Sequence, residues 1–146
     1  MQVEIKIDQS CVEPKVIILT AAVTEEVNRL ADQLTGGTPR LISGIRNEKI
    51  QVLPPEDLIR VYASGGKVFA VTAQGEYTLR LRLYEMEQRL DHKQFVRISN
   101  SEIINMKKVK SFDLSITATI CVELSDGTTT YVSRRYVSKI KTILGL

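Results

Sequence analysis

Residues 116–133 read Ile116-Thr117-Ala118-Thr119-Ile120-Cys121-Val122-Glu123-Leu124-Ser125-Asp126-Gly127-Thr128-Thr129-Thr130-Tyr131-Val132-Ser133. Ile116, Ala118, Ile120, Val122 and Leu124 alternate with Thr117, Thr119, Cys121 and Glu123. Alternation with a period of two places one row of side chains on each face of a strand, here one apolar and one polar. Asp126-Gly127 is a dipeptide of the type I′ turn, and Thr128–Ser133 returns as the partner strand. Cys121 falls in the polar row with the threonines. A hairpin this well marked sets the class of the chain as one built from antiparallel strands.

Upstream the same pattern repeats in short pieces. Leu41–Ile45 and Lys49–Leu53 flank a turn at Arg46-Asn47-Glu48, and Leu58–Ser64 and Val68–Ala73 flank Gly65-Gly66-Lys67. Pro54-Pro55-Glu56-Asp57 separates the two hairpins, since proline cannot donate to a ladder. Gln74-Gly75 leads into a strand at Glu76–Leu81. A helix is expected over Leu83–Leu90, with Leu83, Met86 and Leu90 on one face, followed by extended pieces at Phe95–Ile98, Glu102–Asn105 and Val109–Phe112. Downstream of the strong hairpin, Val137, Ile140 and Leu144 repeat at helical spacing and predict a closing helix over Tyr136–Leu144.

Residues 1–40 read as a unit of their own. Val3, Ile5 and Ile7 alternate with polar residues, and Lys15–Thr20 is a short β-branched run, so two strands are expected. Thr24 caps a helix whose stripe is Val27, Leu30, Ala31 and Leu34, closed by Gly36-Gly37 and Pro39. The expected fold is therefore mainly β with short helices, of the α+β class. It is an antiparallel β-sheet sandwich (41–146) preceded by a small β/α extension (1–40).

The 146 residues are 43% hydrophobic and 25% charged, ordinary values for a globular chain and unlike a disordered one. No apolar run approaches the roughly 18 residues of a membrane span. The first residues, Met1-Gln2-Val3-Glu4-Ile5-Lys6, do not read as a signal peptide. Cys11 and Cys121 stand far apart, as in a reduced cytoplasmic chain. Enzymatic chemistry finds no constellation. Ser64-Gly65-Gly66-Lys67 lacks the spacing of a phosphate-cradling loop and reads as a hairpin turn. Cys121 has no base placed beside it, and His92 is the single histidine, which excludes a His-rich metal site or a His-centred triad. Glu85 and Glu87, two apart on a helix, point to different faces. Neither a cofactor, a metal nor a small-molecule substrate is expected.

Charge carries more information. The net charge is only +3, yet residues 93–146 hold nine Lys/Arg against four Asp/Glu, while residues 1–92 hold 11 against 13. Such asymmetry points to a polyanion partner, with an unevenly charged solvated surface as the plainer alternative. Helix-turn-helix spacing, zinc-finger spacing and an RNA-binding aromatic strand are all missing. Three compact clusters fall instead at predicted turns or strand ends: Gly65-Gly66-Lys67, Arg97-Ile98-Ser99-Asn100-Ser101 and Ser133-Arg134-Arg135. Arginine reads guanine or holds phosphate, asparagine reads adenine, and serine donates to phosphate.

The segment Phe95-Val96-Arg97-Ile98-Ser99-Asn100-Ser101-Glu102-Ile103-Ile104-Asn105 resembles the F-x-R-x-H-x-S-x-I-V-N signature of the LytTR DNA-binding family. The hairpin through Val132-Ser133-Arg134-Arg135-Tyr136-Val137 and Ile140 resembles that family's closing hairpin and helix. Glu56-Asp57-Leu58-Ile59 and Leu83-Tyr84-Glu85-Met86-Glu87 fall in matching order. The likeness covers about residues 41–146. It implies an elongated assembly of small sheets that docks loops, rather than a recognition helix, into successive major grooves of double-stranded DNA at repeated half-sites.

Carried over, the base-reading positions fall on Lys67, on Asn100 with Arg97 and Ser99, and on Arg135 with Arg134; Lys107, Lys108 and Lys139 join them as candidate DNA contacts. Ser99 stands where the family often has His, a weaker donor in place of a stronger one. Forty residues are too few for the receiver domain many members carry. Residues 1–40 resemble instead the start of small stand-alone regulators, often encoded beside an inhibitory membrane protein. A homodimer and a membrane-embedded inhibitor are thus implied partners, with a packing extension of the sandwich as the alternative role of residues 1–40. The competing class is a protein-interaction module whose basic surface meets an acidic partner.

Overall fold

The computed structural model describes residues 1–34, 41–115 and 119–146. The chain divides into two compact units, Met1–Pro39 and Arg40–Leu146.

In the first unit, helix α1 spans Glu25–Leu34. The Thr24 hydroxyl accepts from the Val27 amide at 3.3 Å, and Glu25 and Glu26 occupy the positive end of the helix dipole. Glu25 also pairs with Arg29 one turn on. The strands expected at Val3–Ile7 and Lys15–Thr20 do not form. Val3, Ile5 and Ile7 are almost fully exposed. Alternation makes a segment fit a sheet, but a strand exists only where a neighbouring ladder takes up its backbone groups. Within this unit the described residues supply no such ladder. The Gly36-Gly37 and Pro39 stop lies outside the described residues.

The second unit holds ten strands and two α-helices among its described residues. Strands β1 (Ser43–Arg46), β2 (Lys49–Val52), β3 (Leu58–Ser64), β4 (Lys67–Thr72), β5 (Gly75–Leu79), β6 (Phe95–Ser99) and β7 (Glu102–Asn105) form one antiparallel sheet, in the order β2-β1-β5-β4-β3-β7-β6. Strands β8 (Val109–Asp113), β9 (Ile120–Leu124) and β10 (Thr129–Val132) form a second, ordered β10-β9-β8. Helix α2 spans Leu83–Arg89 and α3 spans Arg134–Ile143.

Period-two alternation sorts the apolar side chains into two cores, one on each face of the larger sheet. Leu58, Val61, Ala70, Leu79, Phe95 and Ile103 pack with Leu83, Met86 and Leu90 of the α2 segment. Ile59, Val96, Ile98 and Ile104 pack with Ile120, Val122, Leu124 and Val132 of the smaller sheet and with Ile140 of α3. All four residues of β7 are buried, and Ile103 and Ile104 face opposite cores. The fully buried Asn105 ends β7: its Nδ2 donates to the Leu58 carbonyl at 2.7 Å, and its Oδ1 accepts from the Lys107 amide at 3.0 Å.

The turns differ from one another. Gly65 and Gly66 have φ of 59° and 76°, and Asn47 and Glu48 have 52° and 64°, as two-residue type I′ turns require. At Asp126-Gly127 only Gly127 is left-handed, with φ 85°. The Gly127 amide donates to the Leu124 carbonyl and the Leu124 amide to the Thr128 carbonyl, so this loop has three residues, not the expected two. Glycine in the last position is the bulged form of a type I hairpin. Ile116, Thr117 and Ala118 of the predicted strand lie outside the described residues.

Candidate nucleic-acid interface

Three chain segments meet at one end of the larger sheet. β3 climbs to the Gly65-Gly66 turn, which hands the chain to Lys67, the exposed first residue of β4. β6, the edge strand beyond β7, climbs in the same direction to Ser99 and turns through Asn100 and Ser101 into β7. The Ala63 amide donates to the Ser101 carbonyl at 2.8 Å, which places this turn beside the end of β3. From the second sheet, β10 ends at Val132 and the chain enters α3. The Ser133 amide donates to the Ile98 carbonyl at 2.9 Å, and the Tyr136 hydroxyl reaches Asn100 Oδ1 at 3.4 Å. Two backbone hydrogen bonds thus gather all three clusters named from the sequence onto one rim.

The side chains of that rim differ in freedom. Lys67, Asn100, Arg134 and Arg135 are exposed, and Ser99 is half-buried. The Ser99 hydroxyl accepts from the Ser101 amide at 3.2 Å and pairs with the Ser101 hydroxyl at 3.3 Å. Arg134 and Arg135 open α3, which starts two residues earlier than its apolar spacing predicts. Cations at a helix start oppose the dipole. Ser133 occupies the cap position with no side-chain hydrogen bond to the first turn, and that turn holds no acidic residue. Free amides and two guanidinium groups make this end of α3 a place where an anion is stabilised.

Arg97 is differently disposed. Its Nε donates to the Ser99 carbonyl at 2.7 Å, its Nη2 to the Asn100 carbonyl at 2.6 Å and its Nη1 to Glu87 of α2 at 2.5 Å. Lys107 and Lys108 sit beyond Asn105, at the other end of β7, so the fold separates them from the rim; Lys107 is exposed and Lys108 half-buried. Lys139 is exposed on α3 next to buried Ile140, more than a turn beyond Arg135.

Sequence reasoning missed the groups behind the rim. Glu102, 7% exposed, places Oε2 at 2.7 Å from Arg60 Nε and accepts from the Thr130 hydroxyl at 2.5 Å. The approach to Arg60 is off the N–H axis, so that pair is held by charge more than by a directed hydrogen bond. The Arg60 guanidinium lies over the Tyr62 ring, 4.3 Å from its centroid, and Tyr62 stacks on Phe69 and donates to Glu76. That bond to a carboxylate, with partial burial, raises the Tyr62 phenol above its ordinary value. The signal in the sequence was an acid opening the otherwise apolar run Glu102-Ile103-Ile104, which demands a buried cation or hydroxyl beside it.

Three loop ends, an amide and the cations Lys67, Arg134 and Arg135, which have no acidic partner among the described residues, thus share one rim. The sequence model of the LytTr DNA-binding domain matches residues 48–145, and the chain belongs to the LytTR family of DNA-binding domains. An uncharacterized HTH-type transcriptional regulator of Staphylococcus aureus (strain NCTC 8325 / PS 47) is 35% identical over 103 residues, covering 70% of this chain and 69% of that protein. Its counterpart in strain MRSA252 is 34% identical over the same coverage. The solved LytTr DNA-binding domain of a methyl-accepting/DNA response regulator from Bacillus cereus shares the fold. Its TM-score is 0.71 at 20% identity, over 75% of this chain and all of that one. In the chain described here α2 and α3 are separated by five strands, so the described helices do not form a helix-turn-helix pair.

Proposed function

We propose that this DNA-binding protein is a sequence-specific transcription regulator of the cytoplasm that docks the rim loops into the major groove of repeated half-sites. The observation that carries the reading is the gathering of Lys67, Asn100, Arg134 and Arg135, all exposed, on one rim by two backbone hydrogen bonds. Asn100 and Arg135 are the base readers, since an amide and a guanidinium present the paired groups that distinguish adenine and guanine. Lys67, Ser99 and Arg134 hold phosphate or the neighbouring base.

The test is a titration of the full chain with duplexes from the promoter upstream of its own gene, against scrambled duplexes of equal length. A regulator prefers one duplex by several kcal/mol. Equal binding to all would favour the interaction module with an acidic protein partner. Lys107 and Lys108 lie away from the rim and serve as backbone contacts in this reading. Alanine at either should lower affinity for every duplex alike and reduce the slope of log K against log salt by about one unit. An unchanged slope for both returns them to the solvated surface.

Residues 1–40 act in this reading as a dimerisation or inhibitor-docking unit. What supports it is apolar surface left open within that unit: Val3, Ile5, Ile7 and Leu19 are exposed, and Leu34 of the α1 stripe is 52% exposed. Light scattering of the full chain should give twice the 16.4 kDa of one copy. A chain beginning near Leu41 should remain folded and monomeric. A dimer that survives the truncation would move the interface into residues 41–146. Among the described residues no helix is long and apolar enough to cross a membrane.

A further inference from the structure

The geometry points to Arg97 and Glu87 as a brace that sets the position of the Asn100 loop, and so the choice of DNA sequence, without either residue touching DNA. The inference rests on the reading of Asn100 as a base contact. Arg97 lies on the α2 face of β6, while Val96 and Ile98 enter the opposite core. The β6–β7 register shifts between Arg97 and Ser99, a bulge that turns the strand end. Into that bend the guanidinium sends three hydrogen bonds, to the carbonyls of Ser99 and Asn100 and to the Glu87 carboxylate. The Arg97 side chain is 15% exposed and that of Glu87 37%.

An arginine that reads guanine needs two parallel N–H groups on one edge; here three of the five N–H groups are held by the protein, and the Nε–Nη2 edge is occupied by the Ser99 and Asn100 carbonyls. Two successive loop carbonyls held by one planar group fix the backbone at Asn100. The carboxylate of α2 fixes the planar group in turn. Lysine, with a point charge and no fork, cannot span the same three acceptors.

The sign of one substitution separates this brace from plain electrostatics. Glu87→Ala removes a negative charge from a DNA-binding protein. By charge alone it should tighten binding to every duplex. The brace predicts the reverse for the preferred duplex: affinity falls about tenfold, the loss of one charged hydrogen bond, while affinity for scrambled duplex holds or rises. Glu87→Gln, which keeps one acceptor oxygen, should fall between. Arg97→Lys should lose at least as much specificity as Glu87→Ala, with the salt slope unchanged. In the Glu87→Ala background, Asn100→Ala should cost less than it does in the parent chain.

Hydrogen exchange on the free protein supplies an arm that needs no DNA: the amides of residues 99–101 should exchange faster in Glu87→Ala. A parent chain without a preferred duplex would end the base-reading function, and the exchange result would still decide the brace. Unchanged exchange, or an unchanged ratio of specific to scrambled affinity in Glu87→Ala, overturns the brace. So does a salt slope reduced by about one unit in Arg97→Gln, since Arg97 would then be a phosphate contact.

Discussion

Glu102→Ala is expected to lower the unfolding free energy by about 3 kcal/mol, near the lower end for breaking a buried charge pair. The substitution strands the Arg60 guanidinium, whose side chain is 19% exposed, against a sheet whose described residues offer it the Tyr62 ring in return. It also deprives the Thr130 hydroxyl of its acceptor, and with it a tie between the two sheets. Urea unfolding of the full chain measures the loss, and a drop in Tm on the order of 10 °C should accompany it. The companion variant is Arg60→Met with Glu102→Met. Replacing both charges by apolar groups of similar length removes the stranded ion and should recover most of the stability. If the double variant is as unstable as Glu102→Ala, packing rather than charge is what Glu102 supplies.

Arg135→Ala should act on binding and leave stability alone. Its side chain is exposed in the first turn of α3, at the positive end of the helix dipole. Removing a cation there costs the helix nothing and adds a few tenths of a kcal/mol at most. Affinity for the preferred duplex should fall by about 1–3 kcal/mol, and preference should flatten at one base position. Competition among duplexes that vary one position at a time reads both effects. Specific and scrambled affinities falling together would make Arg135 a phosphate contact.

Where burial on two faces or a long alternation decides the matter, the chain was legible. β3 and β7 run from Leu58 to Ser64 and from Glu102 to Asn105, as the apolar density there predicts. β9 keeps Cys121 out of the core row, in line with the period. The failures have separate causes. Val3–Ile7 has the alternation of a strand but no ladder, because pairing is a property of neighbours and not of the segment. The Asp126-Gly127 turn gained a residue because only glycine there adopts the left-handed region. α3 took in Arg134 and Arg135, which dipole reasoning would place outside a helix.

Of the rim, the three clusters were readable as turns or strand ends, since those signals are local. Their meeting was not, because it depends on β7 lying between β3 and β6 and on one hydrogen bond from Ser133 to Ile98. The occupation of Arg97 was hidden for the same reason. Nothing in the spacing of Glu87 and Arg97 says that α2 lies over the end of β6.

Lys67, Asn100, Arg134 and Arg135 stand outside both apolar clusters, on turns and on the first residues of elements. A recognition helix must satisfy its own packing stripe with the same ten or so residues that read bases, so a change of target and a change of stability are entangled in it. On the proposed reading of the rim, the two demands fall here on different residues. Mutational drift at the rim can retune partner preference while the cores go on folding the chain, and descendants of such a scaffold can acquire new targets without passing through unstable intermediates.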